Sequence, residues 1–204
     1  VPSSVNGVNG LVNGGKASSQ GLEFSSAFRA TERLQLGLNV SYTDSSLKDD
    51  YPTIVIPSGP YVVELNYGLA GDVMPYVPEW SWSITADYRF PLANGWNAVV
   101  GGGLRWVDDR LSGTSERQVV LLDDTVVDSD LTLPLVLDSY HSLDLYASVS
   151  NESWTVRAYV KNATDERAYT RMTDIGNLVT GADDNVLATP ILPRTFGIEF
   201  DYRF

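Results

Sequence analysis

The sequence predicts an all-β fold of antiparallel strands joined as an up-and-down meander. Apolar and polar residues alternate strictly over many short segments, which is the pattern of strands with one apolar side. The three- and four-residue spacing of an amphipathic helix is not sustained over any segment. Short and long connections alternate between the strand-like segments, as in a meander whose two ends differ. Together these observations predict about seven strands.

The alternation defines the strands one by one. Between Leu34 and Tyr42 every second residue is apolar, and the residues between are polar or glycine. The segment from Trp80 to Phe90 follows the same rule almost without a break. The last segment ends at Phe204 with aromatic or aliphatic residues at every second position. The predicted strands are 22–28, 34–42, 80–90, 96–106, 143–149, 154–160 and 196–204.

The connections favour a membrane barrel. Compact soluble domains seldom have several connections longer than ~15 residues. Tight turns at one end and long polar loops at the other are typical of transmembrane β-barrels. A strand of ~10 residues that rises ~3.4 Å per residue and tilts by ~45° spans about 24 Å, which matches an apolar band of ~25 Å. The short connections are 30–33, 91–95 and 150–153, and the long ones are 43–79, 108–139 and 163–194.

The two faces of the predicted strands also differ as expected of a barrel wall in a membrane. One face includes charged residues such as Glu23, Arg105 and Asp144, which suits a wet lumen. The other face is apolar, and most of its rings lie near strand ends, where amphipathic rings settle at the membrane interface. The predicted membrane-interface aromatics are Phe28, Tyr42, Trp80, Trp82, Tyr88, Phe90, Trp96, Trp106 and Trp154.

Composition excludes several classes of function. The 204 residues include no Cys and one His, which excludes disulfides, thiolate metal sites and multi-histidine zinc clusters. A net charge of -12 argues against nucleic acid as a partner, because phosphate backbones are bound by clustered Lys and Arg. No apolar run approaches the ~20 residues of a membrane helix, and no signal peptide is visible at Val1. We therefore expect a piece of a longer precursor, or a mature or trimmed form.

Four short segments form a set of recognisable motifs. Residues 193–204 read P-R-T-F-G-I-E-F-D-Y-R-F, and residues 13–24 read N-G-G-K-A-S-S-Q-G-L-E-F. Residues 33–36 follow a short turn, and residues 159–166 read Y-V-K-N-A-T-D-E. Taken in their order along the chain, they resemble motifs of TonB-dependent outer-membrane receptors, whose last strand commonly opens P-R-T-x-G and ends in phenylalanine. The family's usual V-x-N-L-T-D differs here only by Ala163.

The resemblance implies a barrel of about 22 strands that encloses an N-terminal plug. It implies active uptake of a scarce nutrient, such as an iron-siderophore, cobalamin or a glycan fragment, across the outer membrane of a Gram-negative bacterium. Residues 1–204 would then form an incomplete barrel, roughly its C-terminal third, without plug or TonB box. The implied partners are outer-membrane lipid, the plug and remaining strands, the TonB energy-coupling complex, the outer-membrane assembly machinery and an unidentified small-molecule ligand.

The strand number predicts an open sheet. An odd number of antiparallel strands cannot close in the up-and-down manner, so we expect unpaired edges near 21–29 and 196–204. A closed barrel with both of these strands paired within the chain would contradict this expectation.

The last strand also resembles the C-terminal signal that the assembly machinery reads in outer-membrane proteins. Gly197, Phe200, Tyr202 and Phe204 match that pattern. An exposed sheet edge is what recognition by strand addition requires. Alternatively, Phe204 is simply a membrane-interface aromatic, and both roles are compatible.

No residue pattern indicates catalysis, so we predict neither an enzyme nor a cofactor. His141 lies at the outer end of a predicted strand and is interpreted as an interface or loop residue. No helix pattern follows the three glycines at 101–103, which are interpreted as allowing strands or a plug to approach closely. The tyrosines at 51, 61, 67, 76 and 169 are loop candidates for stacking on a ligand. Four acidic pairs lack calcium-loop spacing and are interpreted as solvated: Asp49–Asp50, Asp108–Asp109, Asp123–Asp124 and Asp183–Asp184.

Two alternatives belong to other classes. A small self-contained outer-membrane barrel or porin would close with an even number of strands and need no plug. A soluble secreted carbohydrate-binding β-sandwich would cover the apolar rows with a second layer of the same polypeptide.

Overall fold

The computed structural model describes residues 2–5, 8–11, 15–174 and 186–204. No helix in this part of the chain has the length and hydrophobicity needed to cross a bilayer. The strands, in chain order, are β1 (Pro2–Val5), β2 (Val8–Leu11), β3 (Ala17–Arg29), β4 (Leu34–Leu47), β5 (Ile54–Ser58), β6 (Tyr61–Asn66), β7 (Trp80–Pro91), β8 (Asn97–Val107), β9 (Arg110–Leu111), β10 (Glu116–Leu122), β11 (Thr125–Thr132), β12 (Val136–Leu137), β13 (Tyr140–Ser150), β14 (Trp154–Lys161), β15 (Tyr169–Asp174), β16 (Val186–Pro190) and β17 (Thr195–Tyr202).

The main sheet confirms the all-β prediction. It has seven strands in the order β17-β14-β13-β8-β7-β4-β3, and each strand runs antiparallel to its neighbours. All seven strands predicted from the alternation are present. β3 and β4 extend beyond the predicted ends at the side of the long connections, because they remain paired from Ala17 with Leu47 down to Arg29 with Gln35.

The sheet is open, as the odd strand number predicts. β3 pairs only with β4, and β17 pairs only with β14, within the described residues. The described part of the chain is therefore a partial barrel wall rather than a closed barrel. This result does not favour the small self-contained barrel, which would leave no such edges.

Local chemistry explains the three tight turns of the main sheet. After β3, the Thr31 hydroxyl accepts hydrogen bonds from the backbone of Arg33 and Leu34, at 3.2 and 3.0 Å. Between β7 and β8, a short 3-10 turn at Ala93–Gly95 places Asn94 at a φ of 56°, which Asn tolerates better than most residues. After β13, the Asn151 carboxamide oxygen accepts from the backbone of Trp154 at 2.7 Å. These turns fix the register of the strands that they join.

The long connections, which the sequence predicted as polar loops, contain further strands. Two of them fold into hairpins, which pair with each other as a four-stranded sheet of order β11-β10-β6-β5, here called the outer sheet. Short Val- and Ile-rich runs form its strands, and Asp123 and Asp124 form the turn between β10 and β11. Both have positive φ, 48° and 59°, as a two-residue type I′ hairpin turn requires. The third connection contains the β15–β16 hairpin.

Side-chain hydrogen bonds join the bases of the three long connections. Asp72 accepts from the backbone N–H and the hydroxyl of Ser115, at 2.8 and 2.9 Å, which links the first connection to the second. The Tyr76 hydroxyl donates to the carbonyl of Met172 in the third connection at 2.9 Å. Leu47 at the end of β4 is almost fully buried, and its backbone N–H donates to the Asp72 carbonyl at 2.9 Å. The outer sheet is thus held on the main sheet.

Candidate functional site

The alternating apolar residues of all seven main strands lie on one continuous face, here called the apolar face. Cross-strand pairs such as Leu38 with Ile84 and Ile84 with Leu104 extend its rows from strand to strand. No second layer of the described chain covers it, since Leu22 at one edge is 77% exposed and Ile198 at the other edge is 78% exposed. A β-sandwich would bury such a face. The bare rows therefore favour contact with hydrocarbon over the soluble alternative.

The predicted membrane-interface aromatics lie at the two ends of the apolar face. At the end with the long connections, the rings of Tyr42 and Trp80 are 4.7 Å apart, centroid to centroid. At the end with the tight turns, Trp154 and Tyr202 are 4.2 Å apart. A membrane-interface role for these rings remains a prediction. The first group is Tyr42, Trp80, Trp82 and Trp106, and the second is Phe28, Tyr88, Phe90, Trp96 and Trp154.

The opposite side of the main sheet, here called the polar face, contains a chain of contacts across several strands. The Tyr146 hydroxyl on β13 donates a hydrogen bond to the Asp87 carboxylate on β7. The Arg157 guanidinium on β14 lies 5.3 Å from the centre of the Tyr146 ring. It also lies 3.6 Å from Glu199 on β17, although both side chains are about half exposed and the pair adds little stability. These contacts give the polar face a defined arrangement of charges.

Two glycines make room for tyrosine rings on the polar face. Gly101 on β8 lies between Asp87 and Tyr146, and a Cβ atom there would come within 2.7 Å of the Tyr146 Cζ atom. Gly197 on β17 lies beneath Tyr159, whose Cε1 atom would be 2.7 Å from an added Cβ. Each ring therefore lies over the neighbouring strand because that strand has no side chain at this position. The close approach at Gly101 is thus made by a tyrosine ring, and approach of a plug to residues 101–103 stays a prediction.

Two of the family-like motifs contact each other at the outer ends of β14 and β17. Asn162 is only 3% exposed. Its side-chain amide donates to the carbonyls of Glu166 and Leu192, both at 3.0 Å, and its oxygen accepts from the Glu166 N–H at 2.9 Å. Arg194 donates to the Ala163 carbonyl at 3.3 Å and lies 3.4 Å from the Asp165 carboxylate. We call these contacts the outer clamp, because they close the base of the third connection.

Two hollows open on the outer half of the polar face. The larger, of about 530 Å³, lies between the main sheet and the described end of the third connection. Arg105, Asp144 and Lys161 are among its lining residues, so it presents both signs of charge. The smaller, of about 220 Å³, lies between β3 and β8 and shares Arg105 with the first.

The remaining candidate residues are His141 and the acidic pairs. His141 lies at the outer end of β13 as predicted, opposite Trp106, with its Nε2 atom 3.7 Å from a Glu166 carboxylate oxygen. Asp50 accepts a hydrogen bond from the Ala70 backbone at 2.7 Å. Asp183–Asp184 lie outside the described residues. Within the described residues no three His, Asp or Glu side chains are grouped as a metal site.

The loop tyrosines divide into two groups. The Tyr76 hydroxyl is held by Met172, and the Tyr51 ring packs over Gly68, where an added Cβ would lie 2.8 Å from Cδ2. These two have packing roles. Tyr61, Tyr67 and Tyr169 remain substantially exposed, and contact of these three with a ligand stays a prediction.

The outer sheet has an acidic side. Burial raises the pKa of the Glu116 carboxyl on β10, and the nearby Asp130 carboxylate on β11 raises that pKa further. Burial also raises the pKa of the Tyr67 phenol, with an additional contribution from Glu116. The Asp130 carboxylate therefore lies close enough to Glu116 to disfavour the ionised form of its carboxyl group.

The fold and its two faces define the class of protein. An open antiparallel sheet with a bare apolar face, a charged opposite face, tight turns at one end and long connections at the other is a wall segment of an outer-membrane-type β-barrel. The family model described as TonB dependent receptor-like, beta-barrel matches residues 1–163. The chain belongs to this family, whose members are outer-membrane transport receptors rather than enzymes. No curated protein matches the sequence.

Sequence reasoning missed the contacts of Tyr146 and Tyr159 and the pairing of the two outer hairpins. The sequence did contain a signal for the tyrosine contacts, because Tyr146 and Tyr159 each interrupt an otherwise polar row of alternate residues in their strand. The glycines opposite them in the sheet become apparent only when the register is known. A signal for the hairpins was also present in Val-rich runs on either side of Asp123–Asp124.

Proposed function

We propose that the protein is an active-transport receptor of the Gram-negative outer membrane that takes up a scarce nutrient such as an iron-siderophore. Residues 1–204 form roughly the C-terminal third of its barrel. The main support is the bare apolar face on an open sheet in a chain of this family. Unpaired backbone groups in lipid cost several kcal/mol each, so both open edges require further strands before the wall can function in a membrane.

In this proposal the apolar face, the polar face and the long connections have different roles. The apolar face anchors the wall in outer-membrane lipid, with its end aromatics at the two interfaces. The polar face contacts an N-terminal plug, which couples to the TonB energy complex. The long connections capture the ligand, and the hollow beside Arg105 and Lys161 offers it hydrogen-bonding and charged groups.

The proposal also assigns a role in assembly to the last strand. Phe200 and Tyr202 lie on the apolar face of β17, close to Phe204. Within the described residues no strand pairs with the second edge of β17, which would leave that edge available for strand addition. Gly197 lies on the polar face beneath Tyr159, so its part in the signal would be to let β17 pair closely with β14. The outer-membrane assembly machinery is the proposed partner of this strand.

Uptake by iron-starved cells tests the transport proposal. Cells are given a radiolabelled ferric siderophore, and cobalamin and oligosaccharides serve as parallel probes. For the transported probe, we expect uptake to be lost when the receptor gene is deleted, restored by a plasmid copy, and lost again when TonB is absent. A porin would transport without TonB, so TonB-independent uptake would contradict active transport.

A further inference from the structure

Arg110 on β9 is a buried cation whose described partners are not carboxylates. Its residue surface is only 7% exposed, and none of the ion pairs within the described residues includes it. The guanidinium lies 5.5 Å from the centre of the Tyr140 ring and donates to the Asp108 carbonyl at 3.4 Å and the Tyr169 carbonyl at 3.0 Å. A buried charge is costly unless it is paired or hydrogen-bonded, so the ring and the two carbonyls are what stabilise it.

The shorter of these hydrogen bonds joins two long connections. Arg110 lies in the second connection, whereas Tyr169 is the first residue of β15 in the third. A second bond reaches β15 from the first connection, because the Tyr76 hydroxyl donates to the Met172 carbonyl at 2.9 Å. The Tyr76 N–H in turn donates to the Leu111 carbonyl of β9 at 2.8 Å. The β15–β16 hairpin is therefore attached at two points to the segment around β9.

The attached end of β15 forms one side of the larger hollow. The pairing of β15 with β16 shifts register between Tyr169 and Arg171, which leaves Thr170 as an extra residue. A bulge of this kind redirects a side chain. Thr170 lines the larger hollow, together with residues 190–192 from the other end of the hairpin. Because Arg110 donates to the residue directly before Thr170, it holds this bulge in place.

We propose that Arg110, assisted by Tyr76, is a positioning residue of the larger hollow, since it holds the β15–β16 hairpin so that this side of the hollow is formed before any solute enters. An apolar residue could fill the buried position without the desolvation of a charge, but it could not bond to the Tyr169 carbonyl. A two-stranded hairpin on its own is marginally stable in water, so the hairpin depends on this attachment. The use of the hollow in nutrient capture rests on the proposed function, whereas the attachment does not and is tested without transport.

Hydrogen exchange of the intact receptor in detergent, measured by mass spectrometry, tests the attachment. In Arg110→Met we expect the β15–β16 amides to exchange about tenfold faster, because a hydrogen bond from a charged group is lost, while the main sheet exchanges as in the native receptor. Tyr76→Phe removes a single hydroxyl and should accelerate the same amides by about fivefold. Arg171→Met is the matched control, because it removes an exposed guanidinium from the hairpin itself. It should leave hairpin exchange within about twofold of the native rate.

Labelling of an introduced cysteine tests the effect on the hollow. Residues 1–204 have no native cysteine. Ser142 lines the larger hollow, whereas Ser41 lines only the smaller one. With a fluorescent maleimide, the labelling rate of Ser142→Cys should rise several-fold when Arg110→Met is added, and that of Ser41→Cys should not change.

Several results would overturn the proposal. Unchanged hairpin exchange in Arg110→Met or in Tyr76→Phe would show that these side chains do not hold the hairpin. Equal acceleration by Arg171→Met, or faster exchange throughout the main sheet, would assign the effect to general loosening of the wall. An unchanged labelling rate at Ser142→Cys, or equal changes at both cysteines, would separate the hairpin from the hollow.

Discussion

The replacement Gly101→Ala tests whether the stability of the wall depends on the Tyr146 ring, which lies over a position of β8 that has no side chain. The new methyl group would come within 2.7 Å of the Tyr146 Cζ atom and closer still to the Asp87 carboxylate. Real Cβ atoms do not approach so closely, so the ring must move. Moving the ring breaks the hydrogen bond between the Tyr146 hydroxyl and Asp87.

The expected loss in the free energy of unfolding depends on whether the Tyr146 ring moves. If the ring moves, the loss of a hydrogen bond to a charged group costs about 1.5–3 kcal/mol. If it stays, overpacking costs about 1–3 kcal/mol. Alanine also restricts the unfolded chain, which offsets about 0.5 kcal/mol of the cost. We expect a net loss of about 2 kcal/mol in the free energy of unfolding.

Urea unfolding of the intact receptor in detergent, followed by tryptophan fluorescence, measures this loss. Gly103→Ala is the matched control on the same strand and the same face, because its added Cβ would lie an ordinary 3.5 Å from the nearest atom, Thr85 Cγ2. It should leave stability unchanged or slightly raised. In a Tyr146→Ala background most of the cost of Gly101→Ala should disappear, because only the contact with the flexible Asp87 side chain remains. Native stability of Gly101→Ala, or an equal loss in the Tyr146→Ala background, would refute the reasoning.

Three further predictions concern other parts of the wall. Asn162→Ala removes the hydrogen bonds that close the third connection and should lower the unfolding free energy by about 2–3 kcal/mol, measured as above; an unchanged urea midpoint would contradict the outer clamp. Burial and Asp130 raise the pKa of the folded Glu116 carboxyl, so the outer sheet should gain stability as pH falls from neutral through that raised pKa, with the gain complete below its ordinary value. Hydrogen-exchange protection of β10 should show this pH dependence, and Glu116→Gln should abolish it; persistence in the variant would assign it to another group. Deletion of Phe204 from the full receptor should reduce its level in isolated outer membranes, whereas unchanged insertion would leave Phe204 as an interface aromatic only.

The strands of the main sheet could be predicted from the sequence because one face of that sheet is apolar throughout. A shift of one residue in any strand would move Leu38 or Ile84 to the polar side, so the alternation alone determines both the strands and the face that each residue occupies. The register follows with it, as the pairs Leu38–Ile84 and Ile84–Leu104 show. Open edges followed from the strand count.

The outer sheet and the polar-face contacts were beyond sequence reasoning because both depend on pairing between distant segments. β6 and β10 meet although about fifty residues separate them, and short Val-rich runs do not indicate which other run they pair with. Likewise, Gly101 is informative only when Tyr146 is known to lie opposite it. Local patterns determine strands, whereas these contacts are determined by the register of the assembled wall.

The outer clamp explains why two family-like motifs lie about thirty residues apart. Asn162 and Arg194 belong to different motifs. The Asn162 side chain donates to the Leu192 carbonyl at the far end of the third connection, and Arg194 donates to the Ala163 carbonyl at its near end. Asn162 also has a positive φ of 49°, which few residues tolerate as well as asparagine. A connection fixed at both ends by such contacts can differ in length and composition between them without disturbing β14 or β17.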